Sequence, residues 1–290
     1  MTADTLVKKP TARFSRLPVY LTVGVIVTLW TIPSLGLLVN SFREPRAIRA
    51  SGWWTVWGDI FNSATWSLEN YKTVLDQGFS NAFANTVAVS IPAVVIPITI
   101  AAFAAYAFAW MEFPGRNLMF VIVVGLMVVP LQMALIPILR VYTAIGVTGT
   151  YPAVWLAHAG FGLPLAVYLL RNYMGSLPSS IIESATIDGA DHFKIFSKLI
   201  VPLSVPVLAS FAIFQFLWVW NDFLVALVFL GIDPEVRVLT VELADLAGRG
   251  EGALSLLPAA AFVTMIVPLA VFFALQRFFV RGLTAGSVKG

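Results

Sequence analysis

Phe83 to Trp110, FANTVAVSIPAVVIPITIAAFAAYAFAW, contains no charged side chain. A helix rises 1.5 Å per residue, so about 20 apolar residues cross the roughly 30 Å hydrocarbon layer of a bilayer. This stretch is long enough to do so. Five further apolar runs repeat the pattern on either side, at Leu17 to Leu38, Leu118 to Ile138, Pro152 to Leu170, Leu203 to Leu230 and Leu257 to Phe279. None has Lys or Arg in its interior. The expectation is an all-α polytopic membrane protein with six transmembrane helices. Composition agrees: the 290 residues are 59% hydrophobic and only 11% charged, with a mean hydropathy of +0.88. A water-soluble domain has about 25% charged residues and could not hide that much apolar surface in one core.

Lys and Arg are retained on the cytoplasmic side, which orients the spans. With the N-terminus inside, eleven basic residues fall on the inner side: Lys8, Lys9, Arg13, Arg16, Arg116, Arg171, Lys194, Lys198, Arg277, Arg281 and Lys289. Seven fall outside: Arg43, Arg46, Arg49, Lys72, Arg140, Arg237 and Arg249. Both termini are therefore expected to be cytoplasmic. The chain divides into an N-terminal tail (1–16), a membrane domain (17–280) and a C-terminal tail (281–290). The first run is longer than the 7–15 residues of a signal-peptide core and lacks a small-residue cleavage site, so it reads as a retained anchor. The segment 40–81 carries Trp53, Trp54, Trp57, Phe61 and Trp66, and such rings favour the outer membrane interface or a partner. Every span carries proline, among them Pro33, Pro92, Pro97, Pro130, Pro137, Pro164, Pro206, Pro258 and Pro268, so kinked helices are expected.

Several chemistries are missing. A net charge of +3 with no dense basic stripe gives nucleic acid nothing to bind. No cysteine is present, which removes disulfides and thiolate sites. No Gly-Lys pair exists to build a nucleotide-binding loop, no Gly-x-Ser-x-Gly elbow offers a nucleophile, and two histidines without the His-Glu-x-x-His pattern give no zinc site. The chain is not expected to be an enzyme or to hold a cofactor. Within the membrane, His158 and Asp222 look scattered, too little for an ion relay. His158 reads as a hydrogen-bonded packing residue. Asp222 reads as a carboxylate held at the rim, with a place in a solute pathway as the alternative.

The loop 171–201 is long for a connection and carries local signals. Ser180-Ile181-Ile182-Glu183 fits a capping box, a short helix should follow to about Asp188, and Gly189 should end it in the left-handed conformation. Asp191 is then placed to cap a second helix leading into the fifth span. The apolar side chains of this pair would lie in the interface or against a partner, and the physics alone leaves both open.

Glu183-Ser184-Ala185-Thr186-Ile187-Asp188-Gly189-Ala190, followed by Phe193, Phe196, Leu199, Pro202 and Pro206, resembles the EAA motif of permease subunits in bacterial ABC importers; Ser184 stands where that family usually has Ala. Ser41-Phe42-Arg43, Trp66 to Tyr71, Ala105-Tyr106-Ala107-Phe108, Trp220-Asn221-Asp222-Phe223 and the tail Phe279 to Gly290 resemble the smaller six-span permease of maltose-type carbohydrate importers. Leu239 to Ala244 look most like permeases for α-glucosides. The resemblance implies a type I ABC importer permease fold in the bacterial inner membrane. It also implies a second permease subunit, two ATPase subunits that bind ATP and Mg, and an extracytoplasmic sugar-binding protein. Glu183, Ser184, Ala185, Ile187, Asp188, Gly189, Ala190, Phe193 and Phe196 would form the ATPase-coupling element, with Ile187, Phe193 and Phe196 in the ATPase cleft. Leu283, Thr284, Gly286 and Lys289 would make a second contact from the tail. For the sugar itself, Gln132, Trp218, Trp220, Asn221 and Asp222 offer aromatic faces and hydrogen-bonding groups. A stand-alone secondary transporter or channel, or an importer permease for a non-sugar solute, are the alternatives.

Overall fold

The computed structural model describes residues 16–284 except 59, 63 and 64, with the side chains of 277–284 left aside. Among these residues there is no strand, only an isolated bridge between Arg43 and Trp66. Four helices are long and apolar enough to cross a bilayer, and two sharply bent pairs bring the number to six if each pair is one span.

We label the elements used below in chain order. They are α1 (Leu17–Ser41), α2 (Ser80–Trp110), α3 (Arg116–Gly125), α4 (Leu131–Ala144), α5 (Tyr151–Met174), α6 (Ser179–Ile187), α7 (His192–Ile195), α8 (Val205–Trp220), α9 (Leu224–Phe229), α10 (Leu239–Gly248) and α11 (Leu257–Thr284).

Two spans differ from the simple expectation. Leu118 to Ile138 is not one helix: α3 tightens into a 3-10 turn at Leu126–Val128, stops, and restarts as α4 at an angle of 103°. The cause is Pro130, whose ring forces Val129 out of the helical region, to φ −68 and ψ 116. Leu203 to Leu230 is likewise divided. A 72° bend falls at Ser204, Pro206 sits in the first turn of α8 rather than inside it, and α8 ends at Asn221 before the short α9 begins. Pro33, Pro92, Pro97, Pro137, Pro164 and Pro268 do lie inside helices.

The centre of the bundle is α2 against α5. Their facing positions are small: Ala93, Ala101, Ala102 and Ala105 on one, Ala153, Ala157 and Ala166 on the other, all buried. Small side chains let two backbones approach, and in lipid that close packing is a main source of helix association. The last span, α11, packs on α8 and α1. α1 is peripheral and almost fully exposed, with Trp30 81% accessible. It is tied in at its C-terminal end, where Trp53 folds over Gly36 and the buried Arg43 donates to Asn40 Oδ1, the Ala47 and Ser51 carbonyls and Ser51 Oγ. Of the aromatic segment, Trp54, Trp57 and Phe61 project outward.

Candidate coupling element and polar cluster

The loop 171–201 forms the helix pair that its sequence suggests, with one correction. α6 begins at Ser179, directly after Pro178, so Ser180 lies inside the first turn and makes no capping bond. Pro178 sets the entry, and the capping box is not formed; among the described residues Glu183 is exposed and has no side-chain partner. The C-terminal end is as expected. Gly189 has φ +76, its N–H donates to the Thr186 carbonyl at 3.0 Å, and the Ala190 N–H donates to Ala185 at 3.0 Å. This two-bond closure needs a left-handed residue, a conformation glycine adopts without Cβ strain. Asp191 then caps α7, its Oδ1 accepting from the Lys194 N–H at 2.7 Å.

The turn sets which apolar side chains face outward. Ile187 is 86% and Phe193 68% exposed, one on each side of Gly189. Ser184 and Asp188 are exposed beside them, and Ala185 and Ala190 pack inward. Phe196 departs from the expected placement in a partner's cleft. It is buried, with its ring 4.6 Å from Phe103 in a stack and 5.4 Å from Tyr106. Phe103 and Tyr106 lie opposite it, so it fastens the end of α7 to α2. Tyr106 Oη also lies 2.9 Å from His192 Nδ1. Leu283 and Thr284 close α11, and Gly286 and Lys289 lie outside the described residues.

The residues expected along a solute pathway separate. Trp220 is 1% exposed, donates its indole N–H to the Thr264 carbonyl at 3.0 Å and packs on Phe83 and Phe216, so it fixes α8 to α11 and is not open to solute. Gln132 is exposed in the first turn of α4. Next to that helix, Pro137, Ile138, Tyr142, Gly160, Phe161 and Pro164 line part of an apolar cavity of 440 Å³. Asn221 is exposed and donates back to the Leu217 carbonyl. Trp218 is half-buried with its ring edge-on to His158, 4.9 Å between centroids. Asp222 Oδ2 accepts from the Ala226 N–H at 2.9 Å, so the carboxylate is held by the backbone of α9.

Two features were not anticipated. His158 and Asp222 are not scattered: Nε2 and Oδ2 stand 3.7 Å apart, and neither His158 ring nitrogen has a hydrogen-bond partner among the described residues. His158 is therefore buried without the expected bond. Gln215, fully buried on α8, donates to the Ala93 and His158 carbonyls at 3.2 Å each, joining α2, α5 and α8. Gln215 and Trp218 stand three residues apart on one face of α8, a signal present in the sequence, and Asp222 follows just beyond the end of that helix.

The other surprise is a clamp at the opposite end of α2 from the coupling pair. Asn85 donates to the Glu235 and Arg237 carbonyls and accepts from Tyr151, while Thr86 Oγ1 accepts from the Leu239 N–H. Above it, Arg237 pairs with Glu242 at 2.9 Å and Arg249 with Asp245 at 2.7 Å. The Arg249 hydrogen bond holds the Asp245 carboxyl below its ordinary value, with help from the Arg237 charge.

The described residues form a bundle of long and broken apolar spans with an exposed, glycine-terminated helix pair. The chain belongs to the family of binding-protein-dependent transport system inner membrane components, which matches residues 97–285. It is 55% identical to the osmoprotective compounds uptake permease protein GgtD of Synechocystis sp., covering 97% of this chain and 95% of that one. It is 43% identical to the alpha-glucoside transport system permease protein AglG of Rhizobium meliloti, over 94% and 97% of the two chains. A solved bacterial ABC transporter that imports the acidic polysaccharide alginate shares the fold, with a TM-score of 0.76 at 20% identity, over 93% of this chain and 98% of that one.

Proposed function

We propose that this chain is one of two permease subunits of an ATP-driven importer for α-glucosides in a bacterial inner membrane, with both termini in the cytoplasm. The observation that carries the coupling assignment is the exposed pair Ile187 and Phe193 held about the Gly189 turn. Apolar side chains of that size left at a polytopic protein's aqueous edge fit a cleft on a partner. The partners are two ATPase subunits, which bind ATP and Mg; the tail residues Leu283, Thr284, Gly286 and Lys289 add a second contact. Closure of the ATPases moves α6 and α7. Phe196, stacked on α2, passes that motion to the central helix pair, and the bundle rocks between inward- and outward-facing states. An extracytoplasmic binding protein delivers the sugar, and Trp218, Asn221, Asp222 and Gln132 contribute to its path.

The identity to the alpha-glucoside permease over nearly the whole of both chains supports the substrate class. A second reading, uptake of osmoprotective compounds, is favoured by the identity to GgtD. Uptake of radiolabelled maltose, trehalose and sucrose by cells carrying the complete importer, with unlabelled osmoprotective compounds as competitors, decides between them. Saturable uptake of an α-glucoside that osmoprotectants do not displace supports the first. Displacement by an osmoprotectant, with no α-glucoside accumulation, supports the second.

A further inference from the structure

His158 lies about a third of the way along α5 and its side chain is 1% exposed, and Asp222 lies at the break between α8 and α9. Their separation of 3.7 Å is longer than a hydrogen bond, which closes at about 3 Å. An imidazole buried in a membrane protein with both nitrogens unpartnered is costly, and a carboxylate is the strongest acceptor it could meet. The missing contact requires a shift of less than about 1 Å.

The surroundings say which side moves. His158 is fixed: Trp218 packs edge-on against its ring, and Gln215 grips its carbonyl together with that of Ala93. Asp222 stands on non-helical backbone after Asn221, where a small dihedral change is absorbed without breaking a helix. It is also tied beyond the break. Its carboxylate accepts from Ala226 in α9, and its carbonyl accepts from Thr240 Oγ1 of α10 at 2.6 Å. Whatever moves α9 and α10 carries Asp222 with it.

We propose that His158 and Asp222 form a latch across the break in the fifth span, open in this structure and closed as a charge-assisted hydrogen bond in the other state of the transport cycle. When closed, it ties α9 and α10 to α5, so the position of the α10 loop and the state of the bundle bias each other. The latch rests on the alternating access proposed above.

The test uses the complete importer in proteoliposomes, reading basal ATPase, binding-protein-stimulated ATPase and uptake. Two variants of His158 separate the bond from packing. In His158→Gln the amide nitrogen takes the place of Nε2, which faces Asp222, and in His158→Asn it takes the place of Nδ1, which does not. Asp222→Ser keeps a short oxygen for the Ala226 N–H and falls short of His158. The expected result is a drop of about tenfold in stimulated ATPase and uptake for His158→Asn, the scale set by one charged hydrogen bond, with basal ATPase within about twofold. His158→Gln retains most of the stimulation, and His158→Asn with Asp222→Ser is no worse than the weaker single variant. Equal loss in the Gln and Asn variants, or multiplied losses in the double variant, overturns the latch while leaving the importer assignment intact. A wild-type assembly without binding-protein-stimulated ATPase refutes the importer assignment and the latch with it.

Discussion

Replacing Gly162 by alanine puts a methyl group against the Gln215 side chain, where α5 packs on α8. A Cβ at Gly162 would lie 2.6 Å from Gln215 Oε1 and 2.8 Å from Nε2, well inside contact distance. The amide cannot swing aside freely, because it is fully buried and donates to two carbonyls at 3.2 Å. Overpacking costs about 1–3 kcal/mol, and displacing the amide gives up two hydrogen bonds of about 1 kcal/mol each. Alanine's better helix propensity returns up to about 1 kcal/mol. The net loss is about 2–4 kcal/mol, which for a chain of this length lowers the thermal midpoint by roughly 4–16 °C. Thermal unfolding of the protein in lipid nanodiscs measures it. Adding Gln215→Ala removes the clash, so the double variant should melt above Gly162→Ala alone. A midpoint for Gly162→Ala at or above wild type, or a double variant that melts below both singles, would refute the packing described for this interface.

Four further outcomes follow from particular contacts. Phe196→Ala, which empties a stacked and buried site, should destabilise the protein by about 3–5 kcal/mol in the same unfolding assay. Phe193→Ala, at a side chain 68% exposed, should leave the midpoint unchanged and weaken co-purification of the ATPase subunits. Gly189→Pro cannot adopt φ +76 and loses the N–H donated to Thr186, so it should abolish ATP-driven uptake while the protein stays in the membrane; unchanged uptake would remove Gly189 from coupling. For Asp245 the folded carboxyl is held below its ordinary value of 3.8 by Arg249. Its contribution is therefore complete above that value and lost as the pH falls through the lower folded one. Asp245→Asn should be less stable than wild type at pH 6, and the gap should close in acid unfolding below about pH 3.8; a gap that does not vary with pH would contradict the pairing.

The spans were legible because an uncharged apolar stretch such as Phe83 to Trp110 has one stable setting, a helix in lipid. Gly189 and Asp191 were legible for a similar reason, since a left-handed turn and an N-cap are chosen by local backbone chemistry. The start of α6 was not. Ser180 and Glu183 carry a capping pattern, yet the helix enters two residues earlier with Pro178 as its N-cap, and a side-chain bond worth about 1 kcal/mol does not hold the start at Ser180. Proline positions foretold bends without their size, because a kink at Pro92 is absorbed by neighbours whereas Pro130 ends its helix. The inward turn of Phe196 and the burial of Trp220 depend on which helix lies opposite, and that is tertiary information. The meeting of His158 and Asp222 is of the same kind: 64 positions separate them in the chain, and only the packing of α5 beside the α8–α9 break brings them together.

The proposed function requires that this chain pass solute only as part of an ATPase-driven assembly. Flux of a labelled α-glucoside into liposomes holding the purified chain alone, set against liposomes holding it with the second permease, the ATPase subunits and the binding protein, tests this directly. No flux from the chain alone and ATP-dependent accumulation by the assembly are expected. Solute flux through the chain alone, unaffected by ATP, would contradict it.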